Sequence, residues 1–285
     1  MPAILERQTI FTPLGIRFWD PATDSQITHG LQVQAWPDGA TGPVRTAFRT
    51  ASGVYALQGL PGLRDVEYPP VSSSGGLASP PLAQRFVVAV EDHQRRFLPA
   101  VMRVEAPFIG IYPTALAASP PGEALPGVYL FSAPWRAATT LAAVRADLVR
   151  ESTGEPAAHT VLELDVEDSG VWYGIADARG SVAVFFPIPP FQATLGSSPP
   201  GPQAPPHEQL WQVTARVLFQ PSHLETPAGA ASPDLRTILT QASGVVWASA
   251  SGAPAAEFEA TLAFGQDLIL RTAGLPDAAL LIDII

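Results

Sequence analysis

Residues 177–185 read Asp-Ala-Arg-Gly-Ser-Val-Ala-Val-Phe, a polar tetrapeptide that ends in Gly180 and leads directly into an apolar run. Residues 50–57 read Thr-Ala-Ser-Gly-Val-Tyr-Ala-Leu and have the same form, with Gly53 at the corresponding place. Glycine supplies the positive φ that a tight turn often needs, and a polar residue three places earlier can bond to the turn backbone. Both stretches therefore predict a tight turn followed by a strand.

The elements before these two turns also repeat. Residues 31–36 read Leu-Gln-Val-Gln-Ala-Trp, and this alternation of apolar and polar residues is typical of a strand with one buried face. In each half a strand, a polar turn and a second strand precede the glycine turn: 15–20, 21–24 and 31–36 in the first half, and 146–151, 152–156 and 160–166 in the second. The shared order predicts two copies of one β unit.

The composition agrees with an all-β protein. The chain has 285 residues, of which 47% are hydrophobic, 31 are proline and 23 are glycine. Short apolar runs recur between proline and glycine residues, as in β-sandwiches and barrels. Only residues 233–241, with Leu235, Ile238 and Leu239 at helical spacing, predict a helix.

Proline-rich stretches suggest how the chain is divided. We predict an N-terminal sandwich over 1–120 and a C-terminal sandwich over 126–285, because Pro120-Pro121-Gly122 separates the two sets of strands. A second proline-rich insertion lies near 192–207, and residues 69–81 form a Ser/Gly/Pro-rich linker. Residues 208–285 could alternatively form a third subdomain.

Each half resembles the carboxypeptidase regulatory-like domain over roughly 60 residues, because the strand, turn, strand and Gly53 or Gly180 turn follow in the same order. The resemblance implies two consecutive transthyretin-like or immunoglobulin-like β-sandwich domains with proline-rich linkers. Domains of this kind are usually non-catalytic modules, and the fold alone does not specify an activity.

Three stretches, 50–64, 129–134 and 174–180, look like accessory proteins of phage-tail-like contractile injection systems. Those particles are assembled from leaderless proteins in the bacterial cytoplasm and can act outside the cell. The resemblance implies a non-enzymatic structural subunit at the baseplate or an end of the particle. Its partners would be other tail or baseplate subunits, it would be oligomeric within the assembly, and it would need no cofactor.

Several other classes of protein are disfavoured by the residues themselves. There is no cysteine, which excludes disulfides and thiolate chemistry, and the formal net charge of −10 disfavours nucleic acid and anionic membranes as partners. No apolar window of eighteen residues or secretory leader occurs, so we expect a cytoplasmic protein without direct membrane insertion. The His-Glu-x-x-His, Gly-x-Ser-x-Gly and phosphate-loop motifs are missing, so no enzyme is predicted.

An acidic run offers the one candidate for metal binding. Glu163, Asp165 and Glu167 alternate along a predicted strand and would project from one face, where carboxylates could bind a hard cation or form the acid pair of a β-sandwich hydrolase. The favoured alternative is a solvated strand face, because the Gly and Asx positions of a calcium loop are missing.

The aromatic residues suggest a second alternative, a glycan-binding or adhesive module. Trp172 and Tyr173 are neighbours on a predicted strand, so their side chains face opposite sides and at least one could contact a sugar or a protein partner. Core filling is the more common use of strand aromatics. Exposed aromatics on one face, or measurable affinity for sugars, would favour the adhesive alternative.

The last residues form a nearly continuous apolar run that must be covered on both faces. The candidates for a partner interface in this run are Leu280, Leu281, Ile282, Ile284 and Ile285. The favoured interpretation is a terminal strand of the domain core, and the alternative is an edge strand completed by another subunit.

Overall fold

The computed structural model describes residues 10–39, 42–68, 82–107, 127–137, 140–191 and 208–285. These residues are mostly strand, so the predicted all-β class is confirmed. The predicted linker 69–81, the break at 117–126 and the insertion at 192–207 lie outside the described residues.

The described residues of the first half form ten strands, most of them short, and one helix of four residues. They are β1 (Leu14–Ile16), β2 (Phe18–Asp20), β3 (Ser25–Gln26), β4 (Leu31–Pro37), β5 (Arg45–Thr46), β6 (Phe48–Arg49), β7 (Tyr55–Leu57), α1 (Arg64–Glu67), β8 (Gln84–Asp92), β9 (Ala100–Ala106) and β10 (Val128–Tyr129). Their order is β5-β4-β8-β9 in one sheet, with β1-β7-β6 and β10-β2-β3 forming two smaller sheets.

The second half has longer strands. They are β11 (Leu141–Arg150), β12 (Val161–Val166), β13 (Gly170–Ile175), β14 (Ser181–Pro187), β15 (Leu210–Leu218), α2 (Leu235–Leu239), β16 (Gly244–Val246), β17 (Phe258–Ala263), β18 (Leu268–Leu270) and β19 (Ala279–Ile284). One sheet has the order β14-β11-β19-β16, with β18 also paired to β11, and the other has the order β13-β12-β15-β17.

The two halves share one topology. The β5-β4-β8-β9 sheet of the first half corresponds to β13-β12-β15-β17 of the second, and every pair in both is antiparallel. In the opposite layer, β1 pairs antiparallel with β7 as β11 does with β14. Only Arg17 separates β1 from β2. β2 pairs parallel with β10, just as β11 pairs parallel with β19. The predicted repeat of β units is therefore present in the fold.

The two glycine turns have matching geometry. Gly53 and Gly180 have φ of 75° and 80°, and their amides donate to the carbonyls of Thr50 and Asp177 at 3.0 Å in each case. The side chains of those two residues accept from the amide four places later, Thr50 Oγ1 from Val54 at 3.0 Å and Asp177 Oδ1 from Ser181 at 3.1 Å. The same local chemistry therefore starts β7 and β14.

The predicted domain bounds need two corrections. β10 pairs with β2, and the amide of Leu98 donates to the carbonyl of Phe131, so the first sandwich extends past the predicted boundary at 120–126. Residues 208–285 supply strands to both sheets of the second sandwich, so they complete that sandwich and do not form a third subdomain.

The two sandwiches are joined by apolar packing. Five residues of the second half, Val161, Ile175, Leu235, Ile238 and Leu239, belong to the buried core of the first. The last three lie on α2, whose N-terminus is capped by the Asp234 carboxylate. That carboxylate also accepts from the backbone amide of Arg103 on β9 at 3.1 Å. The edge of the first sandwich is thus covered by the second.

Arginine side chains join the sandwiches on another side. Arg136 forms an ion pair with Asp20 at 2.8 Å, and the Asp20 carboxylate is only 7% exposed. The same guanidinium lies over the rings of Phe97 and Phe185, which belong to different halves. Arg145 of β11 donates to the carbonyls of Pro134 and Arg136, which fixes the connecting segment to the second sandwich.

Candidate functional site

A cleft of about 870 Å³ lies where the two sandwiches meet. Residues 98–101, Phe131, Pro134 and Trp135 form the wall from the first half. Residues 145–147, 175–179, Ser181 and Val182 form the opposite wall, and residues 231–233, Leu235 and Ile238 contribute α2 and the loop before it. Clefts of this size between domains are common places for ligands to bind.

The floor of the cleft is apolar. Phe131, Ile175, Leu235 and Ile238 line it and also belong to the core that joins the sandwiches. Each is at most 6% exposed, so packing from both halves holds them in place. The cleft is therefore an opening of the inter-sandwich core toward the surface.

Two large apolar side chains at the cleft are exposed. Trp135 is 58% and Ile269 is 55% exposed. The indole Nε1 of Trp135 donates to the backbone carbonyl of Arg95 at 2.7 Å, which restricts the orientation of the ring. A molecule that covered these two side chains would gain apolar burial without first ordering the indole.

The Gly180 turn supplies polar groups to one wall. Asp177 Oδ1 accepts from the amides of Arg179 and Ser181 at 2.8 and 3.1 Å. The Ser181 hydroxyl donates to the Asp147 carboxylate at 2.6 Å. These contacts hold the wall rigid, because each carboxylate is hydrogen-bonded to the turn or to the strand that follows it.

His159 also lines the cleft and has an unusual backbone. Its φ is 60°, its amide donates to the carbonyl of Ala176, and its own carbonyl accepts from Gln241 at 2.8 Å. Burial lowers the pKa of the imidazole below its ordinary value of 6.5, although the nearby Asp177 carboxylate acts in the opposite direction. The ring is therefore neutral near pH 7 and can donate one hydrogen bond and accept another.

The acidic run does not form a metal site. Glu163 forms an ion pair with Arg216 at 3.2 Å, while Glu167 accepts from the amide of Gln212 and Asp165 is exposed. Among the residues that the structure describes, no group of three or more potential ligands could hold a metal ion. Arg216 also pairs with Glu257 at 2.7 Å, so this strand face is a network of surface charges.

Trp172 and Tyr173 are both half-buried. The Trp172 ring stacks on Phe186 with 5.8 Å between ring centroids, and its Nε1 donates to Ser169. Tyr173 packs against the inter-sandwich core, where burial and the adjacent Glu163 raise its pKa to about 12. Neither side chain forms an exposed platform. Of the six tryptophans, all of them described, only Trp135 is exposed.

The C-terminal run lies inside a sheet. β19 pairs with β11 on one side and β16 on the other, and Leu280 and Ile282 are completely buried. These two residues are therefore unavailable to a partner, because the domain itself covers them. Leu281 is half-buried, whereas Ile284 and Ile285 are 47% and 85% exposed and remain accessible.

Two of the stretches that resemble injection-system proteins meet at the cleft. Residues 129–134 contribute Phe131 and Pro134 to one wall, and residues 174–180 contribute Ile175 and the Gly180 turn to the other. The third stretch, 50–64, contains the Gly53 turn and β7 of the first sandwich, away from the cleft lining. Two of the three stretches therefore lie at the junction of the sandwiches.

Sequence reasoning missed the cleft and the role of His159. Trp135 was recognisable only as one of six tryptophans, although its position beside Pro134, between the two sets of strands, is a weak signal of a junction. No helix within the described ranges is long and apolar enough to cross a membrane.

Comparisons with known proteins add little. No family model and no curated protein matches the chain. A solved structure with partial similarity is that of a "putative adhesin" from Bacteroides ovatus, at 11% identity, with 77% of this chain and 84% of that chain covered and a TM-score of 0.17. A TM-score this low does not indicate a common fold, so nothing about this chain follows from that protein.

Proposed function

We propose that this chain is a non-enzymatic structural subunit of a phage-tail-like contractile injection particle, placed at the baseplate or at an end of the particle. It would act through interfaces with other subunits. The structural observation that supports a role through interfaces is the shared core of the two sandwiches, which makes the chain a rigid two-module body.

The rigidity follows from the buried contacts at the junction. A hinge between the sandwiches would expose α2 and move the Arg136 guanidinium away from the ring of Phe185. Separating this guanidinium from the ring would lose a cation–π contact. A rigid body suits a particle subunit, because the positions of its neighbours then depend on its shape.

The sequence resemblance supports the same role. Two of its three stretches build the walls of the junction, where they fix the relative position of the sandwiches. The injection-system assignment itself rests on that resemblance, while the geometry supports the general role of a rigid binding module.

The proposal is tested by tagging the protein in its native cells and sedimenting large particles. We expect the tagged chain in the heavy fraction together with sheath and tube proteins, identified by mass spectrometry and negative-stain microscopy. A monomer that stays in the supernatant without partners would contradict the proposal.

A matched pair of variants tests the importance of the junction. Arg136→Gln removes the guanidinium that lies over Phe97 of the first half and Phe185 of the second, whereas Arg85→Gln removes an ion pair with Glu105 whose side chains are 73% and 61% exposed. Provided that both purified variants are folded by circular dichroism, we expect only Arg136→Gln to reduce co-sedimentation. Equal co-sedimentation of both folded variants would show that the junction does not matter for assembly.

The glycan-binding alternative is favoured by one observation, the exposed ring of Trp135. A glycan array that compares the wild-type protein with Trp135→Ala addresses it directly. Binding that depends on Trp135, in a protein without particle partners, would replace the structural role with an adhesive one.

A further inference from the structure

We propose that the cleft between the two sandwiches binds a neutral, mainly apolar small molecule that carries a hydrogen-bonding group. This inference goes beyond the particle role and does not depend on it. It rests on the size of the cleft, the nature of its walls and the balance of its charges.

The size of the cleft fits a small molecule. Its volume of about 870 Å³ lies within the range of roughly 300–1,000 Å³ that is usual for ligand pockets. Three parts of the chain line it: the two sandwich walls and the segment that contains α2. Since these parts are joined by buried packing, the space does not depend on a ligand to form it.

The apolar groups determine the body of the ligand. Phe131, Ile175 and Ile238 line the interior, and the exposed side chains of Trp135 and Ile269 can be covered only by something that enters or caps the cleft. An indole held by a hydrogen bond offers a fixed surface for a flat ring system or a hydrocarbon chain. Apolar burial would therefore provide most of the affinity.

The charged groups of the lining balance each other. Asp147 and Asp177 are matched by Arg145 and Arg179, so their formal charges sum to zero. Arg145 is paired with Asp267 at 2.8 Å, and both aspartates accept hydrogen bonds from the Gly180 turn or Ser181. The lining therefore has no net formal charge to offset the hydration that an ionic ligand would lose, which favours a neutral one.

His159 offers the ligand a hydrogen-bonding group. The imidazole is half-buried in the cleft wall, and no hydrogen bond from its ring nitrogens is found among the described residues. Its lowered pKa keeps it neutral, so it presents a donor and an acceptor without a charge. A carbonyl or hydroxyl on an otherwise apolar molecule would satisfy one of them.

The test uses Nile red, a neutral, flat dye with a carbonyl group, titrated into the full-length protein and followed by its fluorescence. We expect saturable binding at one site per chain. The anionic dye 1-anilinonaphthalene-8-sulfonate should bind at least tenfold more weakly. Equal or tighter binding of the anionic dye would overturn the neutral-ligand assignment.

The repeated glycine turn provides a matched control that tests whether the dye binds in the cleft. Ala178 and Ala51 are both exposed and both follow the first residue of a glycine turn, but only Ala178 lines the cleft. Ala178→Trp should reduce the affinity for Nile red at least tenfold, while Ala51→Trp should bind as the wild type does. Absence of saturable binding to the wild type, or unchanged binding to Ala178→Trp, would overturn the proposal.

Discussion

The two sandwiches arrange their corresponding strands in the same order but differ in the continuity of those strands. In the first, the strand that pairs with both β7 and β10 is split at Arg17 into β1 and β2, each of three residues. In the second, the corresponding strand β11 runs unbroken for ten residues. The strand that pairs parallel with it is also shorter in the first sandwich, because β10 has two residues whereas β19 has six.

The buried cores of the two sandwiches also differ, and the core of the second is again the more complete. The main core of the second sandwich is built entirely from its own residues, including Trp211 and Phe186. The core of the first includes five residues of the second, three of them from α2. One topology can therefore give a self-sufficient unit or a dependent one, according to how much of the core and hydrogen bonding lies within the unit.

The largest effect is expected from separating the halves. A fragment of residues 140–285 should unfold cooperatively on heating, because it keeps its whole core. A fragment of residues 1–139 should lose cooperative unfolding. It lacks five buried apolar side chains that contribute about 1.5–3 kcal/mol each, which together approach the whole stability of a typical domain.

Circular dichroism melting curves of the two fragments and the full chain measure this difference. Mixing the fragments provides the control, since α2 in the second fragment should dock again and stabilise the first. If residues 1–139 melt alone at the temperature of the full chain, the first sandwich does not depend on the second.

The two glycine turns differ in what surrounds them. A Cβ added at Gly53 would lie 2.7 Å from Gln26 Nε2 and 2.7 Å from Thr28 Cγ2, which belong to side chains that can move. A Cβ added at Gly180 would lie 2.4 Å from the backbone carbonyl oxygen of Leu148. That carbonyl accepts a hydrogen bond from Ala157, so it cannot move without breaking the β11 edge.

We therefore expect Gly180→Ala to be more destabilising than Gly53→Ala. Both lose about 1–2 kcal/mol because the left-handed backbone is unfavourable for alanine. Gly180→Ala should lose about 1–3 kcal/mol more, because the Leu148 hydrogen bond is displaced. Urea unfolding of each variant gives the two free energies.

A third glycine isolates the backbone contribution. Gly154 has φ of 71° and no atom within 4 Å of an added Cβ, so Gly154→Ala should show only the loss of about 1–2 kcal/mol. Equal losses at Gly53 and Gly180 would mean that the environments of the two turns are equivalent despite their different neighbours.

The parts of the fold that could be predicted are those set by local sequence. The glycine turns, the alternation in β4 and the helical spacing of Leu235, Ile238 and Leu239 each depend on a few adjacent residues. The structure places a turn, a strand and α2 at these positions. Local backbone preference and side-chain period are enough for such elements.

The cleft could not be predicted, because its walls come together only in the folded chain. Phe131, His159 and Ile238 are separated by tens of residues, and nothing in their neighbouring sequence indicates that they share a surface. The apolar run of β19 shows a related limit. Its composition requires that both faces be buried. Only the sheet order shows that β19 lies between β11 and β16 of the same chain and is not paired with another subunit.

A smaller effect on stability is expected from one buried aspartate in each sandwich. Asp92 accepts hydrogen bonds from the amides of Gln94 and Arg96 and pairs with the Arg96 guanidinium at 3.0 Å. Asp283 accepts from the amides of Ser152 and Ile284 and pairs with Arg150 at 3.2 Å. Each sandwich thus holds a carboxylate by the same two kinds of donor, backbone amides and an arginine guanidinium.

Burial raises the pKa of both carboxyl groups, but the hydrogen bonds outweigh it and the pKa of each falls below its ordinary value of 3.8. For Asp283 the result is a pKa of about 2. A carboxyl group with a lower pKa in the folded state stabilises the fold above its unfolded pKa. This contribution is lost as the pH falls through the folded pKa.

Asp283→Asn should therefore destabilise the protein by about 2 kcal/mol at pH 5, the equivalent of its pKa shift, and by progressively less between pH 4 and pH 2. Asp92→Asn should change the pH dependence in the same direction. Urea unfolding of both variants and the wild type at pH 5, 4, 3 and 2 measures these slopes. If Asp283→Asn keeps the wild-type slope, the acid sensitivity of the second sandwich comes from other carboxylates, and the parallel between the two aspartates is structural only.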